Sequence, residues 1–340
     1  MSDTAWTHPG AHEVSPGVYR IPLPMPSDGL RAVNVYALWD SAGIALVDGG
    51  WALPESRRLL GEALETLGAR PADITRILVT HAHRDHYTQA IALREELGCH
   101  VALGEGERAN LERLGARDHI PLERQRRELV ECGAEHVLDE LSAEFDTGTP
   151  EHGPHWQQPD EWLSDGTELV LAERTLRVVS TPGHTRGHVV FHDEDNGLVF
   201  TGDHVLPAIT PSVGLEQAPG PLPLRDYLDS LHLVRKLPDD RILPAHGPVH
   251  DSLRSRVDEL LSHHQRRLDT MAATVERGAS TAYETARALN WTRHERTLDE
   301  LDVFSRILAV LETSAHLKLL VSQRRLASER SAGVLRYSCR

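Results

Sequence analysis

Three imidazoles and a carboxylate fall within the six residues His81-Ala82-His83-Arg84-Asp85-His86, directly after the apolar run Ile77-Leu78-Val79. These are metal donors: imidazole suits zinc, iron or nickel, and a carboxylate adds charge. No cysteine lies nearby to build a closed thiolate site, so the cluster reads as an open, catalytic one. At a strand end His81 and His83, two residues apart, point to the same side, while Asp85 and His86 follow as the chain turns into a helix. One such cluster can supply two ligands to each of two neighbouring metals. A solvated loop that happens to be rich in histidine is the bland alternative, and the density of donors beside a buried strand speaks against it.

The stretch resembles the HxHxDH signature of the metallo-β-lactamase superfamily. The resemblance continues, in the family's order, through Pro182-Gly183-His184, Thr201-Gly202-Asp203 and Pro244-Ala245-His246-Gly247. Carried over position by position, it implies that a first metal takes His81, His83 and His184, that a second takes Asp85, His86 and His246, and that Asp203 bridges the two. Two Zn2+ ions are the implied cofactors, with Mn2+ or Fe2+ as alternatives. Held between metals about 3.5 to 4 Å apart, a hydroxide would be the nucleophile and a carbonyl or phosphoryl oxygen would be polarised. Asp85 would act catalytically as well, accepting a hydrogen bond from that water. Asp48 and His188 match residues that brace the site in the family; a plain turn aspartate and a satisfied buried histidine are the readings without it. Tyr87, where many relatives carry a small residue, and His204, beside Asp203, are expected either near substrate or simply packed. Histidine rather than glutamate at position 83, with no flavin-binding domain following, favours hydrolysis over the redox chemistry of the diiron relatives. Asp203 resembles the glyoxalase II and nuclease branches, because true β-lactamases of the superfamily lack the bridging aspartate.

Strands and helices must bring these segments together. Val18 to Ile21, Val33 to Leu38 and Ile44 to Val47 read as strands, rich in β-branched and aliphatic residues between turn formers. After Pro54, Leu59, Leu60, Ala63, Leu64 and Leu67 recur at helical spacing up to Gly68. The strand Ile77 to Thr80, a helix through Ala90, Ile91, Leu93 and Leu97, and a strand Val101 to Leu103 follow in a β-α-β rhythm. The family's version is an α/β fold, an αββα four-layer sandwich with the metals at one edge. Residues 105–165 break the rhythm with two helices, Glu107 to Leu114 and Leu122 to Cys132, and a loop from Phe145 to Trp162. That stretch is expected to be a lid or a substrate-shaping insertion, against a dimer contact or a surface loop. Further strands, Leu169 to Leu171, Leu176 to Ser180, Val189 to Phe191 and Leu198 to Thr201, lead to a segment with five prolines between Val205 and Leu224. A helix from Tyr227 to Leu237 precedes Ile242-Leu243-Pro244, which delivers His246.

Residues 1–250 are expected to form the catalytic domain and 251–340 a smaller helical one. Helices from Leu253, over Thr281 to Leu289 and over Leu301 to Val321, then a hairpin between Arg324 and Tyr337, resemble the winged-helix tail of the lactamase-β-like proteins. Some of those relatives cut single-stranded RNA. The net charge of -15 is uneven: from Asp251 to Arg340, 15 basic residues face 12 acidic ones, leaving -18 on the first 250. Such a body disfavours a long polyanion. No apolar run is long enough for a bilayer and the opening residues lack a secretory pattern, so a cytoplasmic enzyme with no membrane partner is expected. The three scattered cysteines imply neither disulfides nor a zinc knuckle. The expectation is a dinuclear zinc hydrolase acting on a small-molecule carbonyl substrate, a thioester or ester before a lactone. A metal-dependent endoribonuclease acting on single-stranded RNA is the alternative, nucleic acid being the less favoured partner, and a homodimer is left open.

Overall fold

The computed structural model describes residues 5–26, 29–40, 42–116, 120, 122–137, 140, 155–292 and 294–340. Its first sheet has seven strands that lie in space in their order along the chain. They are β1 (His12–Ser15), β2 (Val18–Pro24), β3 (Ala32–Asp40), β4 (Gly43–Val47), β5 (Ile74–Val79), β6 (His100–Gly104) and β7 (Glu161–Leu163). Pairing is antiparallel as far as β4 and parallel from β4 to β7. Parallel neighbours need crossovers, and α1 (Pro54–Thr66) and α2 (Arg84–Leu97) supply the first two. Proline in the first turn of α1 fixes its entry, and Gly98 at φ 74° ends α2 in the left-handed conformation.

The second sheet runs β12-β11-β10-β9-β8, built from β8 (Glu168–Val170), β9 (Thr175–Ser180), β10 (Val189–Asp193), β11 (Leu198–Gly202) and β12 (Arg241–Pro244). Helix α5 (Pro223–Val234) crosses from β11 to its parallel neighbour β12. The shorter helices α3 (Arg108–Leu114) and α4 (Glu123–Glu131) lie between β6 and β7. After β12 come α6 (Leu253–Glu276), α7 (Ala282–Arg287), α8 (Val303–Ser322) and the hairpin of β13 (Leu326–Ser331) with β14 (Val334–Cys339). Among the described residues no helix is long and apolar enough to cross a membrane.

Three apolar clusters show why these elements stack in four layers. Both faces of each sheet are covered, so strands are apolar at consecutive positions and alternate residues enter different cores. Val33, Val35, Ile44, Leu46, Ile77, Val79, Val101 and Leu103 face α1 and α2. Tyr36, Leu38, Val47, Leu78, Val178, Phe191, Phe200 and Leu243 meet between the sheets. Val179, Val190, Val199 and Ile242, on the outer face of the second sheet, join one cluster with residues of α5, α6 and α8. Helices after residue 250 therefore complete the fourth layer.

The irregular stretch before β8 differs from expectation at one end. Glu161–Leu163 is a strand, not the end of a loop, because it adds to the edge of β6 through backbone pairing that three residues of mixed polarity do not announce. His152 and Pro154, read as parts of the same loop, lie outside the described residues.

Candidate metal centre

All four motif segments begin where a strand of one sheet or the other ends, and the two sheets bring those ends to one edge. His81 and His83 follow β5, His184 follows β9, Asp203 follows β11 and His246 follows β12, while Asp85 and His86 open α2. Gly183 makes the tight turn before His184: it sits at φ 141°, and a Cβ there would be 2.3 Å from the Cα of Tyr227 on α5. Donor atoms gather in two groups, His81, His83, His184 and Asp203 in one, Asp85, His86 and His246 in the other.

In the first group His83 Nδ1 stands 2.9 Å from His81 Nε2 and 3.1 Å from His184 Nε2. These separations approach the roughly 3.3 Å expected of nitrogens about 2.0 Å from one tetrahedral ion. In the second group Asp85 Oδ2 lies 3.4 Å from His86 Nε2 and 3.3 Å from His246 Nε2. Asp203 spans both groups: Oδ2 is 3.4 Å from His184 Nε2, and Oδ1 is 3.3 Å from His246 Nε2 and 3.8 Å from His86 Nε2.

Hydrogen bonds behind the rings set the tautomers. His184 Nδ1 donates to the Ser212 carbonyl at 2.7 Å, His246 Nδ1 to the Ala32 carbonyl at 2.8 Å and His86 Nδ1 to Asp48 Oδ2 at 3.0 Å. Thr80 gives its N–H and O–H to Asp48 Oδ1 at 2.8 and 2.9 Å, and its oxygen accepts from His81 Nδ1 at 3.1 Å. With Nδ1 the donor in all four rings, each Nε2 turns a lone pair toward the centre. His86 Nε2, His246 Nε2 and Asp203 Oδ1 are buried there without a hydrogen-bond partner. Lone pairs converging on one space, unpaired and out of water, fit a cation and little else.

Charge agrees with that geometry. Burial and the neighbouring imidazoles hold His81 well below its ordinary pKa and push His83 down to about 3, so both are neutral and ready to bind metal. Burial opposes charge on His86 and His246 too, yet Asp48, Asp85 and Asp203 at His86, and Asp203 and Asp85 at His246, outweigh it and raise both, so the carboxylates make this side of the centre attractive to positive charge. Burial likewise works against the Asp85 and Asp203 carboxylates, and the imidazoles beside them nevertheless hold both below the usual range.

All seven expected donors are therefore brought together. Asp48 and His188 sit one bond behind: His188 Nε2 accepts the backbone N–H of Asp203 at 3.1 Å, and its Nδ1 is 2.8 Å from Thr181 Oγ1. Tyr87 is fully buried, donates to the Gln157 carbonyl at 2.6 Å and faces Trp156, surroundings of a packed residue rather than of a substrate contact. His204 is buried between His188 and Tyr227 and belongs to neither donor group. Sequence reasoning missed the roles of Thr80, Ala32 and Ser212, the last two acting through backbone carbonyls that leave no side-chain signal. It also missed Trp51, over which the Arg84 guanidinium lies 4.2 Å from the ring centroid. His83, Arg84 and Trp51 are half-buried and mark the open side of the centre.

Residues 28–246 match the model of the Metallo-beta-lactamase superfamily. A metallo-beta-lactamase family protein from Thermus thermophilus is similar in structure, with a TM-score of 0.79 and 31% identity over 96% of this chain and 100% of that one. A probable metallo-hydrolase, YqjP, from Bacillus subtilis is 24% identical over 91% of this chain and 93% of its own length. An atrochrysone carboxyl ACP thioesterase from Aspergillus fumigatus is 26% identical over 74% of this chain, which spans 46% of that protein.

Proposed function

We propose, for a chain that belongs to the metallo-β-lactamase superfamily and is a hydrolase with a histidine and aspartate metal site, that it uses two zinc ions to hydrolyse a small thioester or ester, with a lactone next in order. One observation carries the two-ion reading: Asp203 turns one oxygen to each donor group. In this reading His81, His83 and His184 hold the first ion, Asp85, His86 and His246 the second, and Asp203 both. Divalent ions held so would polarise a carbonyl and supply a water-derived nucleophile at neutral pH. The chain's own part is to keep four of the five imidazoles in the binding tautomer, to keep two carboxylates ionised, and to orient the attacking water through a hydrogen bond to Asp85. Asp85, 7% exposed, lies next to the half-buried His83 and Arg84 and is the acidic donor suited to that contact.

Thioester substrates are supported by the similarity to the fungal ACP thioesterase. The ribonuclease alternative draws less support from the arginines after residue 320, since Arg325 and Arg330 are already paired with Asp269 and Glu131. We read the C-terminal helices and hairpin as a winged-helix-like packing module. Zinc-loaded protein should release free thiol from short acyl thioesters, or acid from esters and lactones, and lose that turnover in Asp85→Ala. Cleavage of short single-stranded RNA with no turnover of any acyl substrate would refute the reading.

A further inference from the structure

Glu107 is fully buried, in the turn between β6 and α3. An ionised carboxyl has about four acceptor positions, and four donors meet this one: the Thr185 hydroxyl, Asn110 Nδ2 at 3.1 Å, and the backbone N–H groups of Ala82 and Gly187. Ala82 separates His81 from His83, and Thr185 and Gly187 follow His184. Each imidazole of the first donor group is thus adjacent in the chain to a residue that Glu107 binds. Backbones touch here as well. A Cβ on Gly187 would stand 2.0 Å from the Glu107 nitrogen, and one on Gly104 would stand 2.2 Å from the Gly187 oxygen, approaches that only glycine allows. Glu216, 5% exposed in the proline-rich segment, accepts the intervening Arg186 N–H through Oε2, while its Oε1 has no partner.

We propose that Glu107 is a positioning residue, a hydrogen-bonded clamp that fixes the loop of His81 and His83 against the loop of His184, with Glu216 holding the intervening Arg186 N–H beside it. The inference rests on the two-ion reading and concerns the shape of the first ion's pocket. Asp48 serves the second donor group through His86, and Glu107 is its counterpart for the first. Burial raises the Glu107 carboxyl, and the four donors pull against that rise in favour of its charged form. Burial and that nearby charge push the Glu216 carboxyl up to about 8. Glutamine therefore reproduces Glu216 as it stands. At position 107 the same amide would turn hydrogens toward a ring of donors.

Titration of the apo-protein with Co2+, followed by stoichiometry and by the visible absorption of the bound ion, tests this without substrate. Glu216→Gln should bind two equivalents with the wild-type spectrum. Glu107→Gln should bind one equivalent tightly and the other about 10 to 100-fold more weakly, with an altered spectrum. Thr185→Val removes a single donor and should fall between them, which decides the matter if Glu107→Gln does not fold. Wild-type affinity and spectrum in Thr185→Val, or equal losses in the two glutamine variants, would overturn the clamp. A wild-type chain that binds only one Co2+ would instead sink the two-ion reading, and two well-formed cobalt sites with no acyl turnover would sink only the substrate.

Discussion

Asp48→Asn separates a brace from a packing residue. Asp48 is 2% exposed and takes three hydrogen bonds, two from Thr80 at 2.8 and 2.9 Å and one from His86 Nδ1 at 3.0 Å. Its φ is 61°, a left-handed conformation that asparagine adopts readily, so the substitution brings no backbone penalty. The asparagine oxygen can keep both Thr80 donors, which leaves its amide hydrogens facing His86 Nδ1. The ring must then move its proton to Nε2, the atom that faces Asp85 and Asp203, and the lone pair meant for a cation is lost. A charge-assisted hydrogen bond is worth about 1.5–3 kcal/mol, equal to roughly 10 to 150-fold in binding at about 1.4 kcal/mol per decade. Competition against a chelator for Zn2+, fitted to two sites, should show one site weakened by that factor and the other unchanged. Equal weakening of both sites, or of neither, would refute the assignment of Asp48 to the second donor group.

Asp203→Asn leaves one good acceptor where two are needed, so the protein should hold a single metal, by elemental analysis, and lose more than the roughly 100-fold that an outer brace costs in turnover. Glu128 joins α4 to α8 through Lys318 at 2.6 Å; burial opposes its charge, but Lys318 and Arg124 hold its carboxyl below the ordinary 4.5. That stabilisation is present above about pH 4.5 and is lost as pH falls through the lower folded value, so Glu128→Gln should cost about 1–3 kcal/mol in urea unfolding at pH 7 and nothing in strong acid. Arg84→Ala frees Trp51 at the open side and should raise KM about tenfold for thioesters carrying a carboxylate or phosphate, leaving kcat and neutral esters unchanged in steady-state assays.

What could be read from residues alone was what local chemistry spells out. His81 to His86 announce themselves by density. The strands that deliver them announce themselves as apolar runs, because each lies between two cores and is apolar on both faces. Helix ends were legible where proline or glycine marks them, at Pro54 and Gly98. The rest was hidden for physical reasons. Ala32 and Ser212 act through carbonyls that any residue carries. Glu107 is one of two acids in an ordinary Gly-Glu-Gly-Glu run, and only the fold brings Ala82, Thr185 and Gly187 around it. Tyr87 could be placed on either side of α2, and Gln157, seventy positions away, decides which.

Distant parts of the chain reach the metal donors through the proline-rich segment. Prolines stiffen this segment between β11 and α5, but they cannot say where it lies. From one side Arg124 and Gln125 of α4 donate to the carbonyls of Gly214, Leu215 and Glu216. From the other, Arg256 of α6 donates to those of Leu206 at 2.6 Å and Ile209 at 2.9 Å. Ser212 lies between the two anchors, and its carbonyl fixes the tautomer of His184. The insertion before β7 and the helices after residue 250 are thus one hydrogen-bonded segment removed from a candidate metal donor. Neither is free to vary as a loose appendage would be: a shift of α4 or α6 moves Ser212, and with it the direction of the His184 lone pair.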